Sequence, residues 1–300
     1  MSRAYIGRFA PSPTGPLHLG SLAAALASHL DAKIHGGRWL LRIEDIDPPR
    51  DIAGADQLIC DSLLAHGLQW DGPTTYQSTR LAYYEQAFER LNKQNLIYPC
   101  ICTRRRLRPL WREYDNHCRD LDELPFTQAF AWRFNLDKAH KLYPNCRTAK
   151  PFTDRLPQNQ QDTYRDDDII IKRKDGLFAY NLAVVVDDID SKISDIVRGD
   201  DLYTMSSRQA MLTCALGGRP SRTLHIPVLC DDKGNKLSKQ HGAPGLDNGQ
   251  ARSNLILAAE QLKLLTADKA DQMKREQSSI ATLLSQLEGH WRRYLDSFEL

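Results

Sequence analysis

The fold of this chain is decided by the stretch Arg8-Phe9-Ala10-Pro11-Ser12-Pro13-Thr14-Gly15-Pro16-Leu17-His18-Leu19-Gly20-Ser21. It reads as a strand followed by a loop bent by glycine and proline. The apolar residues behind the loop recur at helical spacing and predict a helix. A helix N-terminus presents free backbone N–H groups and a partial positive charge, so it is a natural seat for phosphates. His18 and Gly20 stand at this helix start, and Gly20 lets a ligand approach the backbone closely.

A second element with phosphate-binding chemistry follows far along the chain, Lys236-Leu237-Ser238-Lys239-Gln240. Lysine ammonium groups are common partners of phosphate oxygens. A strand, a turn and a helix occur in many proteins, so the first stretch alone has low specificity. The two elements together predict a nucleotide site.

Length and composition describe an ordinary globular protein. The chain has 300 residues, of which 41% are hydrophobic and 26% charged, enough for two domains or one large α/β domain with an insertion. A net charge of +2 requires any nucleic-acid surface to be a local patch. The start lacks the apolar region of a secretion signal, and no apolar run is long enough to span a bilayer, so we expect a cytoplasmic protein. Nothing in the sequence demands more than a monomer. Seven scattered cysteines favour reduced thiols over a disulfide framework.

Within the first 245 residues, strand and helix patterns alternate near the beginning and again near the end. A strand at 39–43 ends on Glu44, and two helical patterns fill 51–96, so the first part reads as a βαβα unit with a parallel sheet. Ligand-binding groups sit beyond the carboxyl ends of such strands, although Glu44 also fits a solvated acidic turn. Strands are expected again at 179–186, 193–197 and 225–229. They place four side chains towards one sheet edge, Tyr180, Asp187, Arg198 and His225.

The segment between these two parts carries clustered cysteines. Cys100 and Cys102 are one residue apart, and Cys118 supplies a third thiolate. A tetrahedral zinc site needs a fourth ligand, for which His117 and Tyr114 are the candidates. Histidine is the commoner ligand, but Tyr114 lies one helical turn before Cys118 on the same face. The alternative is three unrelated buried thiols.

Arginines are densest in the same segment. They stand at positions 104, 105, 106, 108 and 112, with Trp111 and Tyr114 among them. Such a cluster fits a surface that contacts a phosphate backbone. A solvated helix face is the competing interpretation.

The motifs, taken in order, resemble those of glutamyl-tRNA synthetases, which are class I enzymes. The residues that carry the resemblance are Arg8–Gly15 with His18–Ser21, Arg42–Asp45, Val186–Asp188, Arg198–Gly199 and Lys236–Lys239. The likeness covers about residues 5–245. One departure is Ser21, which stands where the family's first signature ends in histidine. This leaves one imidazole fewer for the phosphates, so that role rests on His18.

The chain is similar in length to the truncated relatives of this family. A full glutamyl-tRNA synthetase continues with a large anticodon-binding region, whereas about 60 residues follow Lys239 here. The chain therefore resembles the glutamyl-queuosine tRNA(Asp) synthetases more closely. The resemblance implies an ATP-dependent ligase that forms glutamyl-adenylate without tRNA, with Mg²⁺ accompanying ATP. It further implies transfer of glutamate to the modified base queuosine in the anticodon loop of tRNA(Asp).

The resemblance also implies roles for individual residues. The two carboxylates of glutamate need two cations and its ammonium an anion, roles that fall to Arg8, Arg198 and Glu44. Either arginine suits either carboxylate, with Arg8 favoured for the side-chain one. The remaining assignments are Ala10, Ser12 and Tyr180 in the glutamate pocket, His18, Gly20, Ser21 and Lys239 at ATP, His18, Lys236 and Lys239 in catalysis, and Cys100, Cys102, Tyr114 and Cys118 around one structural zinc.

The expected architecture is therefore the α/β fold of class I synthetases. A Rossmann-type parallel sheet is divided between residues 1–97 and 179–245, with an inserted α+β zinc-binding subdomain at 98–178 and a helical region at 246–300. Two other functions stay open, a minimal glutamyl-tRNA synthetase that charges a tRNA 3′ end and a non-catalytic RNA-binding descendant of a synthetase. The presence of His18, Lys236 and Lys239 speaks against the second.

Overall fold

The computed structural model describes residues 4–110, 114–121, 129–148, 167–229 and 244–297. The chain divides into two compact units. The first comprises Met1–Tyr76, Ser194–Leu202 and Thr223–Leu300, and the second comprises Gln77–Ile193 and Tyr203–Arg222. In the described ranges, no helix is both long enough and apolar enough to cross a membrane.

Eight strands and eleven α-helices lie in the described residues. The strands are β1 (Ile6–Phe9), β2 (Arg38–Ile43), β3 (Thr75–Tyr76), β4 (Ile97–Cys100), β5 (Ala131–Phe134), β6 (Ile170–Lys172), β7 (Asp195–Gly199) and β8 (Arg222–Ile226). The helices are α1 (Leu19–Ile34), α2 (Ala55–Ala65), α3 (Leu81–Lys93), α4 (Arg104–Leu107), α5 (Leu136–Leu142), α6 (Pro144–Thr148), α7 (Tyr180–Asp190), α8 (Ser206–Ala215), α9 (Ala251–Gln261), α10 (Ala267–Arg275) and α11 (Ile280–Asp296).

A parallel sheet forms the base of the first unit, as the sequence predicted. Strands β1, β2 and β3 pair in that order and all run parallel, with Arg8 opposite Leu40. The chain enters β7 beside the start of β1, where the Ser194 N–H donates to the Ile6 carbonyl over 2.9 Å. The Ile6 N–H in turn donates to the Ser194 hydroxyl over 2.7 Å. The strands that carry Arg8 and Arg198 thus begin next to each other.

Helix α1 lies at the centre of the core of the first unit. Its buried positions are mostly leucine and alanine, and α9 and α11 pack against it. Asp31 on α1 is buried and accepts hydrogen bonds from the Tyr5 hydroxyl (2.6 Å) and from Trp291 Nε1 on α11 (2.9 Å). The helices beyond residue 250 are therefore an integral part of this unit.

The second unit contains the antiparallel sheet β4-β5-β6, which agrees with the α+β texture expected between the two Rossmann parts. Asp168, which precedes β6, is 1% exposed. Its carboxylate accepts two hydrogen bonds from Arg119 (2.6 and 2.7 Å), one from the Tyr98 hydroxyl (2.6 Å) and one from the Leu136 N–H (2.8 Å). One buried carboxylate therefore joins three separate segments of this unit.

The strand expected at 179–186 is wrong, because these residues begin helix α7. Residues 182–186 are buried without alternation, and a continuous apolar run does not distinguish a buried strand from a buried helix. Asp187 consequently lies inside a helix, not at a strand end. It is fully buried and accepts hydrogen bonds from Gln77 Nε2 (2.7 Å), Arg80 Nε (2.6 Å) and the Tyr84 hydroxyl (2.9 Å).

The expectation of reduced thiols is wrong for two cysteines. Cys146 on α6 and Cys214 on α8 form a disulfide across 68 residues of sequence. Their Cα atoms are 6.5 Å apart, a proximity that tertiary packing creates and sequence spacing does not reveal. Helix α8 itself confirms the helix expected at about 205–216, and Gly217 with φ of 71° follows its end.

We expect Asp187→Ala to lower the free energy of unfolding by about 3–5 kcal/mol, because it leaves the Arg80 guanidinium without its buried partner. Asp190→Ala is the matched control, since Asp190 also binds Arg80 (2.8 Å) but is 51% exposed. Its loss should be under about 1 kcal/mol. Urea unfolding of both variants measures the difference. Equal losses in the free energy of unfolding would show that burial of Asp187 does not strengthen its contribution to stability.

Candidate active site

The loop between β1 and α1 is held by backbone hydrogen bonds from three other segments. Its acceptors are the carbonyls of Pro11, Pro13 and Leu17, which bond to the N–H groups of Glu44, Ile52 and Leu246, each over 2.9 Å. Ala10 is half-buried in this loop and Ser12 is exposed. The loop is thereby fixed to the carboxyl end of β2, where Glu44 stands.

His18 is the N-cap of α1. Its Nδ1 accepts a hydrogen bond from the Ser21 N–H (3.2 Å), so the neutral ring carries its proton on Nε2. Nε2 lies 2.9 Å from the Ser21 hydroxyl. Gly20 lies between them in the first helical turn. The serine that departs from the family's signature therefore holds the imidazole in one orientation.

Two buried arginines and a buried carboxylate belong to the first unit. Arg8 on β1 is 5% exposed, and Arg198 on β7 is 6% exposed. Glu44 follows β2 and its Oε1 accepts a hydrogen bond from Arg42 over 3.2 Å. Sequence reasoning gave Arg42 no role, although its i, i+2 spacing to Glu44 was a signal that both point to one side of the strand. The Arg42 guanidinium orients the Glu44 carboxylate.

His225 on β8 is the second residue whose role sequence reasoning missed. Its Nε2 accepts a hydrogen bond from Arg198 Nε over 3.3 Å, and its side chain is 1% exposed. Burial and the adjacent guanidinium lower the pKa of His225 to about 3. The imidazole is thus neutral at neutral pH and accepts a hydrogen bond without cancelling the charge of Arg198 as a carboxylate would.

The predicted site residues are distributed between the two units. Those in the first unit are Arg8, Ala10, Ser12, His18, Gly20, Ser21, Glu44 and Arg198. Tyr180 is the first residue of α7 in the second unit. The lysine motif, with Lys236 and Lys239, lies outside the described residues.

The predicted cysteines come together in the second unit. The Sγ atoms of Cys100, Cys102 and Cys118 all lie within 4.8 Å of one another, and this group could hold a metal ion. The Tyr114 hydroxyl oxygen is 3.5 Å from Cys100 Sγ and accepts a hydrogen bond from the Cys118 N–H over 2.8 Å. His117 is exposed and is not part of the group. Of the two candidates for the fourth ligand, Tyr114 is the one at the cluster.

Charged neighbours support this cluster. Arg133 Nε lies 3.3 Å from Cys100 Sγ, and its guanidinium stacks 3.5 Å above the centre of the Tyr114 ring. Burial raises the pKa of the Cys100 thiol, but hydrogen bonds with Tyr114 and Arg133 outweigh it and bring the pKa below its ordinary value. Burial and the contact with Cys118 raise the pKa of Cys102 to about 12. Cys100 is therefore easier to ionise than Cys102.

Comparison with known families identifies the class of protein. The family model described as tRNA synthetases class I (E and Q), catalytic domain, matches residues 6–254. The chain is 45% identical over 260 residues to a protein of Idiomarina loihiensis named Glutamyl-Q tRNA(Asp) synthetase, covering 86% of this chain and 88% of the relative. It is 48% identical over 260 residues to a protein of the same name from Bordetella bronchiseptica, covering 82% and 78%.

The chain therefore belongs to the class I tRNA synthetases of the E and Q family and, within it, to the glutamyl-Q tRNA(Asp) synthetases. It is a ligase.

Solved structures share the fold. A glutamate tRNA ligase from Elizabethkingia meningosepticum, in complex with its amino acid, matches with a TM-score of 0.67 and 24% identity. A glutamate-tRNA synthetase from Elizabethkingia anophelis matches with a TM-score of 0.68 and 23% identity. This chain is covered to 93% in both matches, but it spans only 65% and 66% of those longer chains.

We expect the first unit to lose stability as the pH falls from about 6.5 towards 4. Burial and, to a lesser degree, the charge of Lys33 lower the pKa of His29 to about 4. The pKa of His225 is lowered to about 3. Because the unfolded chain has histidine pKa values near 6.5, it binds more protons in this window and gains free energy relative to the folded state. Between the folded and unfolded pKa values, each histidine lowers the free energy of unfolding by about 1.4 kcal/mol for each unit by which the pH falls.

Urea unfolding at pH 7 and pH 5 measures this slope. His29→Gln should reduce it by one histidine's share. A slope in His29→Gln equal to that of the unsubstituted protein would contradict the assignment.

Proposed function

We propose that this chain activates glutamate with ATP in the absence of tRNA and then transfers glutamate to the queuosine base in the anticodon loop of tRNA(Asp). The observation that carries the proposal is the 45% identity, over most of both chains, to a relative named Glutamyl-Q tRNA(Asp) synthetase. The chemistry of the first unit is consistent with it, because glutamate requires two cations and one anion in its pocket.

In this proposal the glutamate pocket is built on β1, β2 and β7. Arg8 and Arg198 each take one carboxylate, with Arg8 favoured for the side-chain carboxylate, and Glu44 takes the ammonium. Both guanidinium groups are buried, where hydrogen-bonded charge pairs are stronger than in water. The lining residues contributed by the first unit would be Ala10 and Ser12.

The first chemical step joins glutamate to AMP. An oxygen of the substrate α-carboxylate attacks the α-phosphorus of ATP, the bond to the β-phosphate oxygen breaks, and pyrophosphate leaves. The protein's task is to position the reactants and to stabilise phosphate charge. We assign this task to His18, Lys236 and Lys239, with Gly20 and Ser21 at the nucleotide. The Mg²⁺ that accompanies ATP would neutralise part of the phosphate charge.

The second step transfers the glutamyl group. A hydroxyl of the queuosine ring attacks the carbonyl of the adenylate, the mixed anhydride bond breaks, and AMP leaves with its electron pair. The hydroxyl proton is lost to solvent or to a phosphate oxygen. No further oxidant or cofactor is required.

Labelled glutamate and two preparations of tRNA(Asp) test the proposal. We expect transfer to tRNA(Asp) from queuosine-producing cells and at least a hundredfold less to tRNA(Asp) from cells that cannot make queuosine. Nuclease digestion should leave the label on the anticodon-loop fragment. Label on the 3′-terminal fragment would instead indicate a minimal glutamyl-tRNA synthetase, and no glutamate-dependent pyrophosphate exchange would indicate a non-catalytic descendant.

We further propose that Cys100, Cys102, Tyr114 and Cys118 bind one structural zinc ion in a subdomain of residues 98–178. Zn–S bonds of about 2.3 Å place sulfur atoms about 3.8 Å apart in a tetrahedron. The 3.5 Å between the Sγ atoms of Cys102 and Cys118 is close to this value. The donor set is buried apart from the half-buried Cys102, as is typical of a structural site.

Metal analysis of protein purified without chelator should find about one zinc per chain. Cys118→Ser should lose it, while Cys60→Ser, at a free thiol outside the cluster, should retain it. Tyr114→Phe should weaken zinc retention against a competing chelator, and His117→Ala should not. Because a structural metal contributes folding energy, removing it should also lower the unfolding midpoint. The reverse order of the Tyr114 and His117 variants would make His117 the ligand.

A further inference from the structure

The arginines that lie between Cys102 and Cys118 in the sequence are not equivalent in the structure. Arg104, Arg105 and Arg108 are exposed, and no ion pair from the described residues reaches them. They occupy a single turn, α4 and its C-cap, in which the Arg108 N–H bonds to the Arg104 carbonyl over 3.0 Å. Three guanidinium groups with no acidic partner among the described residues are therefore held within one helical turn. Trp111 and Arg112 lie outside the described residues.

Arg106 has a different role. Its guanidinium makes two parallel hydrogen bonds to the Asp115 carboxylate, 3.0 and 2.7 Å long. These bonds lower the pKa of Asp115 to about 2. Arg106 thus anchors α4 to the segment that holds Tyr114 and Cys118, and its charge is neutralised by the Asp115 carboxylate. The other three arginines keep their net positive charge.

Local contacts fix where the three arginines are presented. The Thr103 hydroxyl caps α4 by accepting from the Arg106 N–H over 3.3 Å, and Leu107 packs on the cysteine cluster. Exposed Lys174 donates to the Ile101 carbonyl over 2.7 Å and adds a fourth cation at this edge. The backbone that carries these cations is therefore fixed by contacts both before α4 and within it.

This arrangement is unfavourable for the isolated protein. Like charges four residues apart on a helix, such as Arg104 and Arg108, repel each other. A solvated helix face would be stabilised by acidic residues at i, i+4, and here those positions hold none. Guanidinium groups that repel one another in the free protein are suited to an anionic partner, and the repeated phosphates of RNA satisfy several of them at once.

We propose that Arg104, Arg105 and Arg108 form a surface that binds the phosphate backbone of the tRNA, independently of its base sequence and of queuosine. The proposal rests on the proposed function, which supplies RNA as the polyanion. Contacts to phosphates position an RNA but do not read its base sequence. In this proposal the active site therefore recognises queuosine, and this surface holds the tRNA backbone.

Salt-dependent binding of tRNA(Asp) to the full chain tests the proposal. An unmodified tRNA(Asp) transcript and native tRNA(Asp) serve as probes. The triple variant Arg104→Gln, Arg105→Gln, Arg108→Gln should bind both about tenfold more weakly at low salt. Its slope of log affinity against log salt should be shallower by about 2 to 3, because each phosphate that an arginine no longer neutralises removes roughly one unit. Glutamate-dependent pyrophosphate exchange, which needs no tRNA, should not change.

Two matched variants control for net charge and for folding. Replacing three exposed cations on three other helices, Lys93→Gln, Lys138→Gln and Arg275→Gln, removes the same charge and should leave the slope near that of the unsubstituted protein. Arg104→Lys, Arg105→Lys, Arg108→Lys keeps the charge and should retain most of the slope. If the glutamine triple variant does not fold, Arg105→Gln alone should reduce the slope by about one unit.

An unchanged slope in the glutamine variants would overturn the proposal, and so would an equal reduction in the control with three scattered substitutions. A loss of pyrophosphate exchange equal to the loss of tRNA binding would also overturn it, since the arginines would then act through the fold. The proposed function fails separately. If the unsubstituted protein bound tRNA with the expected slope but transferred no glutamate to queuosine, this surface would stand and the assigned reaction would not.

Discussion

A buried carboxyl group costs free energy unless hydrogen bonds satisfy it, and both units are organised by this constraint. Asp31 in the first unit bonds to a tyrosine near β1 and to a tryptophan on α11. Asp187 and Asp168 in the second unit each bind an arginine and a tyrosine from distant segments. Each carboxylate is stabilised only if its partners arrive together. These three residues therefore make the packing of helices on strands specific as well as favourable.

The candidate pocket contains buried positive charges, in contrast to the buried carboxylates described above. Arg8 and Arg198 are buried on neighbouring strands, and one group that accepts a hydrogen bond from Arg198 is the neutral imidazole of His225. A carboxylate in the place of His225 would have competed with an acidic substrate for the same guanidinium. The buried acid that follows β2, Glu44, is already oriented by Arg42. The first unit thus holds the two buried guanidinium groups and the buried carboxylate that the proposed glutamate pocket requires.

Local signals in the sequence were sufficient to predict the strand, loop and helix start within residues 8–21. The backbone hydrogen bonds that Glu44, Ile52 and Leu246 donate to this loop could not be predicted, because they come from distant segments. Helix α7 could not, because a run such as Leu182–Val186 is compatible with either structure until its neighbours are known. The pairing of Cys146 with Cys214, and that of His225 with Arg198, depend on tertiary proximity that spacing does not encode. Tyr114 shows an intermediate case. The spacing argument selected the residue that lies at the cluster and ligand statistics pointed to His117, but residues 114–118 lie in a loop and turn and not in the expected helix.

The hydrogen bond between Trp291 and Asp31 joins residues 260 positions apart. The first unit therefore gathers the beginning of the described chain and its last helix around one carboxylate, whereas the cysteine cluster draws its members from neighbouring turns. Interactions so distant in sequence form slowly and late, while local ones form early. A ribosome makes Asp31 long before Trp291, so this hydrogen bond can form only after nearly the whole chain has been synthesised. The three cysteines of the cluster, in contrast, all lie within positions 100–118.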